Sequence, residues 1–280
     1  MNSALLHNGK VITAREYHAT EHGTRISCID KGCNVPVIFV PASESVGPHF
    51  KTTGKGDSKH HSTCGFYKPL SFIESAKKIE EYQEDFLDRG IQENVLRINL
   101  SKIDPDYQEK ERETTEREKK ITDPNEVKVK QDNNNTPKSI SSLKSIVKLL
   151  SSYEPDVLSS ILVNIRGKKI PISSIIVDQV KAHEILWTDK IVDQIGYFVY
   201  GTVENVLRRE KVWYINYKIV DNTMFSLVLF DKYFKHFSYS DEQLVGKTIL
   251  AWGQLKKNTF NDKNTTEMSI KSDRYIEFLK

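Results

Sequence analysis

The sequence predicts a mixed α+β chain built in two folded parts, and three observations support that prediction. All three cysteines precede residue 65, together with six of the eight histidines. Residues 101–138 are highly charged and poor in apolar side chains. Residues 196–280 alternate apolar and polar side chains with the period of two that strands have. We therefore expect an α+β domain at 1–98, a charged linker at 99–138, a short helical connector at 139–195 and an all-β barrel at 196–280.

Length and composition limit the classes of protein to consider. The 280 residues suffice for two modest domains and a linker, and 38% hydrophobic against 28% charged residues argues against one large core. A formal net charge of +3 permits a nucleic-acid partner without requiring one. The first ten residues carry no signal-peptide pattern, and no apolar run approaches the roughly 20 residues that span a bilayer. We expect a cytoplasmic protein without a membrane partner.

The N-terminal part is predicted to contain strands followed by one helix. Residues 35–40 form the clearest strand, and residues 4–15 and 24–29 are weaker strand candidates. Apolar residues between Phe72 and Leu87 recur at helical spacing, with Ser71 as the N-cap and Gly90 as the stop.

The central part changes character at two points. The charged residues of 101–138 bury too little apolar surface to offset the entropy of ordering, which predicts a flexible linker; a charge-patterned binding tail is the alternative. Apolar spacing then predicts helices at 140–150 and 157–162, and a turn with a short strand at 167–172.

The C-terminal part has the strongest β pattern. Three consecutive strands are predicted at 197–207, 212–220 and 224–230, a helix-like segment at 231–244, and two last strands at 248–256 and 267–279.

The cysteines and histidines have the spacing of a zinc site. Cys28 and Cys33 flank a short turn containing Gly32, and two residues separate His60-His61 from Cys64. Zinc prefers four thiolate and imidazole ligands in a tetrahedron, so the cysteines supply three, and His61 or His60 supplies the fourth, with His49 as a rival. Four ligands leave no open position, which predicts a structural site. The alternative is three unpaired cysteines beside surface histidines.

The same region resembles a known family. Cys28-x4-Cys33, the strand at 35–40, His49-Phe50 and Cys64 resemble the N-terminal region of CoiA-like competence proteins over about residues 25–66. The family has Ala-His where this chain has Lys51-Thr52. In that family the Cys-Cys knuckle precedes a nuclease-like domain that acts on incoming DNA. No acidic and basic constellation after residue 70 resembles a nuclease core, so the resemblance implies DNA handling without an activity.

The C-terminal strands resemble an OB-fold, a five-stranded, partly open barrel that binds oligonucleotides on its second and third strands and on two loops. Gly201 and Gly253 mark the expected bends. Strand alternation places Val199 and Val203 in the core. The residues predicted to face outward on strands or loops are Tyr200, Arg208, Arg209, Lys211, Tyr214, Lys218, Trp252, Lys256, Lys257, Phe260 and Lys263.

Aromatic rings interleaved with cations suit single-stranded nucleic acid, because bases stack on rings and cations follow the phosphates. We expect a non-catalytic protein that binds nucleic acid, with single-stranded DNA favoured, in a setting such as a mobile element or phage defence. Two alternatives remain open, a protein–protein adaptor that uses the barrel or linker, and a CoiA-like nuclease-associated protein. A separate interpretation of the outward aromatics is that they pack under another element, and residues 139–195 are available to cover them. The sequence contains no P-loop, H-E-x-x-H or G-x-S-x-G motif.

Overall fold

The computed structural model describes residues 1–87, 94–108, 139–165, 167–192, 194–260 and 262–280. The fold is mixed α+β, mostly sheet with few helices. The predicted helix stop at Gly90 and most of the predicted linker lie outside the described residues. Within them, the longest helix has 16 residues, and no helix is long and apolar enough to cross a membrane.

The N-terminal region consists of two small antiparallel units. Its elements are β1 (Ser3–Leu6), β2 (Val11–Thr13), α1 (Ala19–His22), β3 (Ile26–Ser27), β4 (Ile38–Val40) and β5 (His49–Lys51). The first three strands form a sheet in the order β2-β1-β3, and β4 pairs with β5. The predicted strand at 35–40 is therefore shorter than expected, although Pro36 bridges to Ser27.

A single amphipathic helix follows, as the sequence predicts. It is α2 (Phe72–Leu87), and Ser71 caps it: the Glu74 N–H donates to Ser71 Oγ at 3.3 Å, and the Ser71 N–H donates to Glu74 Oε2 at 2.8 Å. Five apolar side chains of the helix are buried: Phe72, Ala76, Ile79, Tyr82 and Phe86.

The central region contains a sheet that the sequence analysis did not predict. Its elements are β6 (Asn94–Ile98), β7 (Ser139–Ile140), α3 (Leu143–Ser152), α4 (Pro155–Ser159), β8 (Ile161–Ile165), β9 (Lys168–Pro171), β10 (Ile176–Asp178) and α5 (Gln179–Trp187). The strand order is β7-β6-β8-β9, with β6 parallel to both of its neighbours. The predicted helix at 157–162 is thus wrong in its second half. Ile161, Leu162 and Val163 are all buried, and a short, fully buried strand has no alternation to distinguish it from a helix.

The C-terminal region is one large sheet. Its elements are β11 (Tyr197–Arg208), β12 (Val212–Tyr217), β13 (Met224–Phe230), α6 (Asp241–Leu244), β14 (Thr248–Gly253), β15 (Leu255–Phe260), β16 (Lys263–Ile270) and β17 (Ile276–Phe278). The order is β15-β16-β13-β12-β11-β14-β17, and β10 joins β11 in parallel. The first three predicted strands are confirmed, whereas the predicted strand at 267–279 is divided between β16 and β17.

Gly201 lies where β11 crosses the buried interior. A Cβ at this position would lie 2.3 Å from Cδ2 of Tyr217 and 2.6 Å from Oε1 of Gln179. The pairing of β11 with β12 then shifts register between Val203 and Asn205. A side chain at residue 201 would clash with a fully buried ring, so this approach requires glycine.

One hydrophobic core extends from Phe72 to Ile276 and joins α2, the central sheet and the C-terminal strands. The first residues of the predicted linker belong to it, because Leu100 and Ile103 are buried. Lys271 also forms ion pairs with Asp104 at 2.7 Å and Asp106 at 2.9 Å. The expectation of a flexible linker beginning at residue 99 is therefore wrong for residues 99–108.

The N-terminal strands are attached to α4 by a buried carboxylate. The N–H groups of Asn2 and Ser3 donate to Asp156 Oδ2 at 2.6 and 2.9 Å. Burial, followed by the nearby charge of Glu154, raises the pKa of Asp156 to about 6.

Candidate metal centre and candidate binding face

Four side chains of the N-terminal region converge on one point. Cys28, Cys33, His60 and Cys64 bring their ligand atoms within 4.8 Å of one another. Cys28 Sγ lies 3.7 Å from Cys64 Sγ, and His60 Nδ1 lies 3.5 Å from Cys33 Sγ and 3.4 Å from Cys64 Sγ. The three cysteines are buried and His60 is half-buried. This Cys₃His cluster can hold a metal ion, and it is the only such group among the described residues.

Two tight turns place these ligands. The Cys33 N–H donates to the Asp30 carbonyl at 2.8 Å, which folds the first cysteine pair back on itself. The Cys64 N–H donates to the His61 carbonyl at 2.9 Å, which brings His60 alongside Cys64. Each turn therefore presents two donors to the same point.

The structure places the two rival histidines elsewhere. His61 is exposed, and its Nδ1 lies 3.1 Å from the Gly32 carbonyl oxygen. His49 belongs to β5, where its Nδ1 lies 3.0 Å from the Gly47 carbonyl oxygen. Of the three predicted candidates for the fourth ligand, only His60 joins the cysteines.

The thiols differ in their affinity for protons. The hydrogen bond with Cys64, together with burial, raises the pKa of Cys28. The same hydrogen bond lowers the pKa of Cys64 to about 6, because the Cys28 S–H stabilises a thiolate there. Burial raises the pKa of Cys33. A cation at the centre of the cluster would favour the thiolate form of all three.

Asp30 connects the cluster to α2. Its buried carboxylate accepts hydrogen bonds from the Gly65 N–H at 3.0 Å, the Tyr82 hydroxyl at 2.7 Å and the Gly32 N–H at 3.1 Å. Lys78 Nζ lies 3.0 Å from the same carboxylate. Burial alone would raise the pKa of Asp30, but these hydrogen bonds and the Lys78 charge outweigh it and lower the pKa.

The donor set fits a soft or borderline cation. Three thiolates and one imidazole match the ligands of structural zinc sites and differ from the oxygen sets that magnesium or calcium require. Asp30 bonds to backbone groups beside Cys33 and Cys64, so it supports the positions of the ligands from outside the cluster.

Two of the predicted outward aromatics are covered. Tyr200 is only 7% exposed and meets the ring of Phe72 edge-on at 5.8 Å, so the prediction that it faces solvent is wrong. Trp252 is half-buried between Phe198 at 6.5 Å and Tyr275 at 5.9 Å. This half of the sheet packs against α2 and the central region.

Two of the predicted cations are engaged within the protein. Arg208 pairs with Asp241 at 2.7 Å and lies over the Trp213 ring at 4.0 Å. Lys257 pairs with Asp189 at 2.6 Å and lies over Trp187 at 5.5 Å.

The other predicted residues are accessible. Tyr214 is half-buried with Arg209 over its ring at 5.7 Å, and Lys211, Lys218, Lys256 and Lys263 are exposed. The side chain of Phe260 lies outside what the structure describes.

The accessible half of the sheet also contains residues that the sequence analysis missed. Phe230 is 44% exposed and lies two residues beyond Val228, the cross-strand partner of Tyr214, so both rings stand on one face. Exposed Asn205, half-buried Asn216 and buried Ser226 form a polar row on this face. Apart from Ser226, residues 224–230 are apolar on both faces, which concealed Phe230, whereas the alternation of β12 places Asn216 on the same face as Tyr214. We call the surface around Tyr214, Phe230 and this row the free face.

A comparison with protein family models found no match to this chain, and a comparison with curated proteins found none either. The resemblance of residues 25–66 to CoiA-like competence proteins therefore stays a prediction.

Proposed function

We propose that this protein binds single-stranded nucleic acid on the free face without catalysing a reaction, and that the Cys₃His cluster holds a structural Zn²⁺. The carrying observation is the pair of accessible rings on the second and third strands of the C-terminal sheet, Tyr214 and Phe230. Aromatic platforms on neighbouring strands are what successive unpaired bases require.

The strand order supports an OB-type barrel. Three consecutive antiparallel strands are followed by a parallel pair between β13 and β16. At the ends of the path β15-β16-β13-β12-β11-β14, β15 and β14 are separated in sequence by Gln254 alone. Together they act as one long, bent strand that pairs with β16 and β11. In such a barrel, the second and third strands carry the ligand face.

Positive charge lies at two edges of the free face. Arg209 and Lys211 belong to the turn between β11 and β12, and Lys256 lies on β15 beside β16. These cations can follow a phosphate backbone while the bases stack on the rings. The net charge of +3 agrees with moderate affinity that depends on salt.

Zn²⁺ would stabilise the N-terminal region. Cys28, Cys33, His60 and Cys64 would hold the ion, which supplies four bonds that crosslink a region with only a small core. Asp30, fixed by Tyr82, orients the loops that bear the ligands.

Fluorescence anisotropy of the full chain with labelled single- and double-stranded oligonucleotides, at two salt concentrations, tests the proposal. We expect single strands to bind more tightly than duplex, with affinity falling at higher salt. Tyr214→Ala should weaken binding about tenfold, the value of one lost stacking contact. Tyr67→Ala is the matched control, because Tyr67 is exposed and belongs to the N-terminal region. Absence of binding at low salt, or equal binding by the Tyr214 variant, would reject the proposal.

A protein adaptor is the second candidate, and one observation favours it. Leu207 and Phe230 are 47% and 44% exposed, and both are apolar. Leu207 is the cross-strand partner of Tyr214, so all three side chains belong to the free face. Exposed apolar area of this kind also suits a protein partner. Failure of every oligonucleotide to bind would favour the adaptor.

A further inference from the structure

Three polar side chains form a hydrogen-bonded row across the free face. Asn216 on β12 is the cross-strand partner of Asn205 on β11 and of Ser226 on β13. Asn216 Nδ2 donates to Asn205 Oδ1 at 2.7 Å, and Ser226 Oγ donates to Asn216 Oδ1 at 2.7 Å. Among the described residues, the Asn216 amide makes these two hydrogen bonds, one to each neighbouring strand. The two bonds hold the plane of the amide from both sides.

This arrangement leaves one edge of the amide available. A primary amide has two N–H hydrogens and two oxygen lone pairs. One hydrogen and one lone pair point to the two sides of the amide, and the other hydrogen and lone pair point forward from its tip. The two partners lie on the neighbouring strands and therefore occupy the sides. The tip of the amide, opposite its Cβ, then keeps one donor and one acceptor next to each other.

The row lies beside the stacking platform. Tyr214 and Asn216 are two residues apart on one strand and share a face, which separates them by roughly 7 Å. A base that stacks on Tyr214 would bring its hydrogen-bonding edge to the Asn216 amide. Such a contact needs an unpaired base, because pairing in a duplex occupies that edge.

The two sides of Asn216 differ in chemistry. Its oxygen is on the side of Ser226, whose cross-strand partner on β16 is Glu267. The Glu267 carboxylate is half-buried and accepts from Asn258 Nδ2 at 2.6 Å. Acceptors therefore accumulate on this side, where they suit an amino group and oppose a carbonyl group.

We propose that Asn216 reads the exocyclic amino group of a stacked base, so that the free face prefers cytosine and adenine to uracil and thymine. The proposal rests on the proposed function. Cytosine fits with its N3 accepting from Nδ2 and its amino group donating to Oδ1, while the second amino hydrogen faces Ser226 and Glu267. Uracil in the same orientation places its carbonyl oxygen against Oδ1.

The test compares oligodeoxycytidine with oligodeoxyuridine of equal length at neutral pH, by anisotropy with the full chain. The two bases have nearly the same ring, so stacking and charge are matched. We expect the cytidine oligomer to bind about tenfold more tightly, and Asn216→Ala to abolish the difference. Asn264→Ala, which removes an exposed amide at the start of β16, should preserve it.

Each outcome separates the two proposals. Equal affinities that both fall in Tyr214→Ala would overturn the base preference and leave single-strand binding intact. A preference for uridine, or a cytidine preference that survives Asn216→Ala, would also overturn it. No binding of either oligomer would reject the proposed function itself.

Discussion

The Tyr82 hydroxyl donates a 2.7 Å hydrogen bond to Oδ2 of Asp30, and both residues are buried. Asp30 lies between two cysteines of the metal cluster, and Tyr82 lies 52 residues later, on α2. The same carboxylate oxygen accepts from the N–H of Gly65, the neighbour of Cys64. One carboxylate thus connects both ligand-bearing loops to the helix.

Tyr82→Phe should destabilise the N-terminal region by about 1–3 kcal/mol, because a buried carboxylate loses a donor. Zinc affinity should fall about tenfold or more, since Asp30 orients the ligand loops. Urea denaturation and a competitive zinc titration measure the two effects. Tyr67→Phe removes an exposed hydroxyl and should change neither quantity. An unchanged Tyr82→Phe protein would show that Asp30 does not need the Tyr82 hydroxyl beside its other donors.

Zinc content distinguishes the three histidines. The purified protein should contain one zinc per chain, and His60→Ala should lose most of it, because only His60 lies with the cysteines. His61→Ala and His49→Ala should keep theirs, since these rings face the Gly32 and Gly47 carbonyls. Elemental analysis by mass spectrometry gives the stoichiometry. Zinc retained in His60→Ala but lost in His61→Ala would contradict the arrangement described above.

Gly201→Ala should destabilise the C-terminal sheet by about 1–3 kcal/mol. The added methyl group would stand 2.3 Å from Cδ2 of Tyr217, a ring that is only 1% exposed and has no room to retreat. Thermal unfolding followed by circular dichroism measures the loss. Gly47→Ala is the control, because a Cβ there meets open space. Equal melting temperatures for the two variants would argue against the close approach at residue 201.

Asp156 should make stability depend on pH. Burial raises its pKa from 3.8 to about 6, so the folded chain holds this proton more tightly than the unfolded chain does. The stabilisation is full below about pH 4 and is lost as pH rises through about 6, a change of about 3 kcal/mol. Relative to Asp156→Asn, the natural protein should therefore lose stability across this interval. Urea denaturation of both proteins at several pH values checks the sign, and parallel pH profiles would refute it.

The sequence predicted elements best where one face of a segment is buried. The spacing from Phe72 to Leu87 identified α2 and its Ser71 cap, and alternation identified β12. The first residues of β8 are buried on both faces, so apolar and polar side chains do not alternate there. Because that alternation is missing, the sequence pattern predicted part of a helix instead of a strand.

The sites were predictable to a similar extent. The cysteine spacing indicated the metal cluster, but His60 and His61 are adjacent, and only the turn at Cys64 selects between them. Alternation correctly separated Tyr200 from Val199, yet it does not indicate what covers an outward ring. Phe72 covers Tyr200, and this contact joins residues 128 positions apart, which no local pattern encodes.

The core that runs from Phe72 to Ile276 determines which fragments of this chain can be soluble. A fragment beginning at residue 196 would lose β10, which pairs with β11, and Phe72, which covers Tyr200, so the buried ring of Tyr200 would meet water. Such a fragment would self-associate through the apolar face so exposed. The domain boundary that the composition suggested at residue 196 is therefore not a suitable place to truncate the chain. A soluble fragment that retains the free face would have to begin before α2.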